Sequence, residues 1–106
     1  MDFNQYSSFV LRYSEVYQVP EGDKLLAVAF GLAEETGEAI GHLKRQYRGD
    51  GFDRDSWLKE LGDVLAYLSL CAEYTGSNLE EVAQINIAKL TARDRNQTQF
   101  GSGDNR

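Results

Sequence analysis

LLAVAFGLAEETGEAIGHLKRQY, Leu25 to Tyr47, is the stretch on which the fold turns. Leu25, Leu32, Ala39 and Leu43 recur at helical spacing and share one face, and Gly49 and Gly51 close the pattern just beyond it. A helix longer than twenty residues is predicted. Upstream, Pro20 and Gly22 interrupt the periodicity, and before them Phe3, Tyr6, Val10, Tyr13 and Tyr17 form a second helical stripe from about Asp2 to Tyr17. Downstream, the polar loop RGDGFDRD leads into a third pattern, Ser56 to Tyr74, in which Trp57, Leu61, Val64, Leu65, Leu68 and Ala72 make an apolar arc that Gly76 ends. A fourth helix is expected from a capping box, Ser77 with Glu80, through Leu79, Val82, Ala83, Ile85 and Leu90 to about Arg93.

No segment alternates with period two, no hairpin turn signal occurs, and the single proline lies between helices, so the fold class is all-α. Four helices with short connections suggest an antiparallel four-helix bundle spanning residues 1–93, with residues 94–106 as a flexible, polar C-terminal tail. The aromatics of helix one either pack inside or serve an intersubunit contact.

At 106 residues, with 42% hydrophobic and 26% charged, the chain fits one soluble domain. A net charge of -6 and a pI near 4.7 argue against nucleic-acid or anionic-membrane partners, which call for a basic surface. The lone Cys71 excludes an intramolecular disulfide, and the absence of an export signal or long apolar run makes the cytoplasm the expected location.

Within the long helix, Glu34, Glu35 and Glu38 fall inside an arc of about 100 degrees. A charged helix face is most often simply solvated. Such faces, however, interleave Lys or Arg at i+3 or i+4, whereas these positions hold Gly37, Glu38, Ala39, Gly41 and His42. Ala27, Gly31 and Gly41 on the same arc let another segment or a ligand approach the backbone. In the third helix Glu60 and Asp63 stand at i,i+3, and Asp63 heads an otherwise apolar or aromatic stripe of Tyr67, Leu70 and Tyr74. Should the two acidic groups face each other, two such charges about 4 Å apart repel by about 4 kcal/mol at an effective dielectric near 20, and a cation is needed. Hard oxygen donors without Cys or paired His select Mg²⁺, or Mn²⁺ in its place, and Mg²⁺ characteristically leaves positions open to substrate phosphates. In the fourth helix Asn86, Lys89 and Arg93 share the side of Leu79, Val82 and Leu90, where they would meet phosphate, sugar or base, or snorkel to solvent.

The pattern EExxE (Glu34, Glu35, Glu38), 21 residues, then ExxD (Glu60, Asp63), set within GLAEETGEA, KELGDVLAYL and NIAKLTAR, resembles the MazG-like all-α nucleoside triphosphate pyrophosphohydrolases from about Leu25 to Arg93. The resemblance implies a helical bundle, dimeric or a dimer of dimers, that cleaves a (d)NTP between its α and β phosphates into monophosphate and pyrophosphate. It implies Mg²⁺ held by Glu35, Glu38, Glu60 and Asp63, with Glu34 as a further ligand or as the group that positions and deprotonates the attacking water. Asn86, Lys89 and Arg93 would contact the nucleotide. Hydrolysis of guanosine tetraphosphate and a non-catalytic metal- or partner-binding module are the competing expectations. A di-iron bundle would need paired ExxH motifs, and His42 is the only histidine. His42, one turn beyond Glu38, either touches the site or, as is commoner for a lone histidine near a helix end, sits at the surface, and Phe30, Trp57 and Tyr67 are expected in the core.

Overall fold

Asp2 starts the first helix by accepting a hydrogen bond from the Gln5 backbone N–H (2.8 Å), while Gln5 Oε1 accepts from the Asp2 N–H (2.9 Å). The computed structural model describes residues 1–14 and 18–96. Helix α1 spans Phe3–Tyr13 and stops at Ser14, whose backbone is extended, short of the expected end at Tyr17. A 3-10 turn at Glu21–Asp23 follows Pro20 and leads directly into α2, Lys24–Arg48. Lys24 pairs with Glu21 (2.7 Å) and lies over the Tyr74 ring, tying the start of α2 to the end of α3.

Helix α2 ends at Gly49, and Gly51 (φ 89°) returns its N–H to the Gln46 carbonyl (2.9 Å) in a left-handed conformation that suits glycine. Asp53 then caps α3, Arg54–Glu73, by accepting from the Ser56 N–H. Gly76 (φ 84°) turns the chain out of α3. Helix α4, Leu79–Asn96, runs past the expected end near Arg93. Its cap is not the expected Ser77 with Glu80. Asn78 Oδ1 accepts from the Glu81 N–H (2.8 Å), and the Ser77 hydroxyl donates to the Glu81 carboxylate (2.8 Å), which shifts the box by one residue. The remaining tail, 97–106, lies outside the described residues, as does Tyr17.

The protein is an all-α four-helix bundle, with no strand among the described residues. Helices α2 and α3 form the dominant pair, an αα-hairpin closed by five residues, while α1 packs on α3, and α4 packs on α1 and α3. Helix α3 is therefore the central element. The contact face of α2 keeps Ala39 buried and Leu32 and Leu43 half-buried, as periodicity suggests, but is wider: Val28 is also buried and Gly31, Glu35 and His42 half-buried, whereas Leu25 is exposed. Gly31 has a packing reason, because a Cβ there would drive into the Tyr67 ring on α3. Gly31→Ala is expected to cost about 1–3 kcal/mol in overpacking, offset by about 1 kcal/mol of helix propensity, and so to lower the melting temperature.

At the α1–α3 contact the fully buried Ser7 and Ser69 hydroxyls share a hydrogen bond of 2.8 Å. Truncating one leaves its partner unsatisfied. Ser69→Ala should cost about 1–3 kcal/mol, and adding Ser7→Ala should recover part of that loss in a double-mutant denaturation cycle. The core is otherwise thin, consisting of Val28, Ala39, Leu70, Ala72 and Leu79 among the described residues, while Phe9, Tyr13, Phe30, Tyr47, Ile85 and Ile87 are all more than half exposed. Phe30 thus departs from its expected core position; Trp57 and Tyr67 are half-buried.

Candidate metal centre and nucleotide site

The hairpin brings the two acidic motifs together. On α2, Glu35 and Glu38 stand at i,i+3, and on α3 Glu60 meets them from across the pair. One carboxylate oxygen from each of the three lies within 4.8 Å of the others. The i,i+3 spacing aligns two carboxylates along one edge of α2, and the antiparallel return through residues 49–53 sets the first turns of α3 against the last turns of α2.

Asp63, one turn beyond Glu60, is exposed and lies outside this group of three. It is near enough for its charge to act on Glu35 and on Tyr6 of α1. Burial first, and then Asp63, raises the Tyr6 phenol above its usual range, and the Tyr6 hydroxyl reaches the Gly62 carbonyl (3.5 Å). Glu34 is also exposed and stands at the edge of the cluster, where it acts on Glu35 only through its charge.

Glu35 carries the electrostatic signature of the site. Its carboxyl is pushed above the ordinary carboxylate range by burial, then by the charges of Glu38, Asp63 and Glu34, and by a hydrogen bond shared with Glu38. Carboxylates crowded in this way bind protons more tightly when no stronger cation is present. The donor set is all oxygen, which fits a hard divalent cation and not zinc or copper. Glu35, Glu38 and Glu60, with Asp63 at hand, are the residues able to hold one.

Two further observations revise the expectations for this region. His42 is not a bystander at the helix end, since its Nε2 lies 3.4 Å from Glu60 Oε1. Its position one turn beyond Glu38 was the only available signal. On α4, Arg93 is buried and Lys89 half-buried, but Asn86 is exposed and does not point inward as its neighbours' apolar pattern suggested. Helix α4, which carries these three side chains, packs on α1 and α3.

Residues 23–98 match the MazG nucleotide pyrophosphohydrolase domain. The chain belongs to that family. It is also similar to the Gene 37 protein of Mycobacterium phage L5, with 41% identity over 84 residues covering 74% of each chain. No solved structure matches it. None of the helices among the described residues is long and apolar enough to cross a membrane.

Proposed function

We propose that the protein is a Mg²⁺-dependent nucleoside triphosphate pyrophosphohydrolase, acting in the cytoplasm, that adds water across the α–β phosphoanhydride of a (d)NTP and releases the monophosphate and pyrophosphate. The observation that carries this is the convergence of Glu35, Glu38 and Glu60 within 4.8 Å at the positions of the two acidic motifs. In an acidic chain, a bare cluster of this kind repels a polyphosphate. A bound divalent cation, Mg²⁺ or Mn²⁺, supplies charge compensation, phosphate orientation and a lower pKa for water. Glu35, Glu38, Glu60 and Asp63 hold it. Glu34 lies beside them, exposed, as a further ligand or as the group that positions and deprotonates the attacking water. Lys89 and Arg93 neutralise phosphate charge, and Asn86 meets the nucleoside.

The same surface supports assembly into a homodimer or a dimer of dimers. A radius of gyration of 16.5 Å exceeds the about 13 Å of a compact domain of about 100 residues. The exposed Phe9, Tyr13, Ile85 and Ile87 on α1 and α4, and a shallow apolar depression of about 320 Å³ beside Ile40, Leu43 and Tyr47 on α2, are surfaces that a second copy would cover. Asn86 on the exposed side of α4 would then border an intersubunit pocket.

The test is incubation with standard and modified (d)NTPs, and with guanosine tetraphosphate, in Mg²⁺, with the products identified. Turnover of at least one triphosphate to monophosphate and pyrophosphate is expected. Turnover of guanosine tetraphosphate alone would assign the alarmone reaction instead, and metal-dependent stability without any turnover would leave a binding module.

A further inference from the structure

We infer that His42 is a positioning residue for the metal centre: it holds the Glu60 carboxylate in place beside Glu35 and Glu38. This rests on the assignment of those carboxylates to a divalent cation. Three features of the chain carry it. His42 Nε2 stands 3.4 Å from Glu60 Oε1, across the α2–α3 seam, and joins the two halves of the site through a side chain that is not one of the clustered ligands. The Glu60 side chain is 17% exposed and that of His42 45%, so the carboxylate is the more sheltered of the pair. No lysine or arginine occurs between Lys24 and Lys44, which makes His42 the one nitrogen donor that α2 offers on this stretch.

The residue type suits the task. An imidazole nitrogen can donate a hydrogen bond to a carboxylate oxygen, whereas the fixed charge of a lysine at the same place would compete with the incoming cation. Carboxylate ligands that are themselves hydrogen-bonded are fixed in orientation, so less freedom is lost when the cation arrives. The contact is long for a hydrogen bond, and closure of the carboxylates around a cation would shorten it.

The experiment follows Mn²⁺ binding by the decay of the free-ion electron paramagnetic resonance signal, without substrate, in the wild type and in His42→Ala, His42→Gln and Glu38→Gln. Far-UV circular dichroism confirms that each variant is folded. His42→Ala should weaken Mn²⁺ binding by about 10–100-fold, and His42→Gln, which keeps an N–H donor at the same reach, should restore most of it. Wild-type affinity in His42→Ala, or a loss that glutamine does not repair, overturns the role given to His42 while leaving the metal centre standing. If the wild type takes up no Mn²⁺, or Glu38→Gln takes up as much as the wild type, the metal-centre assignment itself falls, and the inference with it.

Discussion

Replacing Glu38 with glutamine should abolish turnover in practical terms, with a loss of about a thousandfold, while leaving the bundle folded. Glutamine keeps the shape and the helix propensity of glutamate but removes one of three converging anionic donors. A metal acting on a phosphoryl group contributes several kcal/mol, and about 4 kcal/mol corresponds to about three powers of ten in rate. Glu38 is exposed, so replacing its side chain with an amide of the same shape does not unfold the chain. Calorimetry should show Mg²⁺ affinity falling together with activity. Full activity in both Glu38→Ala and Asp63→Ala would refute the placing of these two carboxylates in the catalytic centre.

Glu35→Gln should separate stability from function in the opposite sense: the variant is expected to be more stable than the wild type in EDTA at neutral pH, yet no longer stabilised by Mg²⁺. Because burial and its acidic neighbours raise the Glu35 pKa, the folded state holds that proton more tightly than the unfolded chain does. Its contribution to stability is therefore complete below the ordinary carboxylate pKa and is lost as pH rises through the raised value. Wild-type protein in EDTA should accordingly lose stability as pH rises from about 4 towards 7, more steeply than Glu35→Gln. In the wild type a cation present at about a hundred times its dissociation constant adds about 2.7 kcal/mol, or about 10 °C in the melting temperature of a domain this size. Thermal melts of both proteins across pH, with and without Mg²⁺, measure both effects. Equal metal-induced shifts in the two would show that Glu35 is not a ligand.

Much of the fold could be read in advance because its helices are separated by residues with one structural meaning each. Pro20, Gly49, Gly51 and Gly76 mark breaks that the structure retains, and the α2–α3 pair follows from two long patterns joined by a short polar loop. The face of α2 was harder to assign. Leu25, Leu26, Phe30 and Ile40 are exposed apolar residues on a helix with apolar side chains all round it, so periodicity alone could not tell Val28 and Gly31 as the α3-facing positions. The α4 cap was ambiguous for a simpler reason, as Ser77 and Asn78 are both good caps and consecutive Glu80 and Glu81 each lie three residues on.

The site divides along similar lines. Glu35, Glu38 and Glu60 were legible because i,i+3 spacing makes neighbours on a helix and no basic residue was at hand to neutralise them. The contact from His42 to Glu60 was not, since it depends on how far two helices are rotated against each other, which one histidine in a sequence cannot reveal. Asn86 was misplaced because α4 carries apolar residues on more than one side, with Val82, Ile85, Ile87 and Leu90 all exposed in the single chain. A helix with apolar residues on more than one side does not disclose from its own sequence which side packs within the chain.

The central claim is that Glu35, Glu38 and Glu60 bind a divalent cation through which a nucleotide's phosphates are held. An anomalous difference map from crystals grown with Mn²⁺ and a non-hydrolysable triphosphate analogue tests this most directly. The account predicts a peak at coordination distance from these three carboxylates, with phosphate oxygens completing the shell. A nucleotide bound with no peak among them, or with Mn²⁺ held elsewhere, would contradict it.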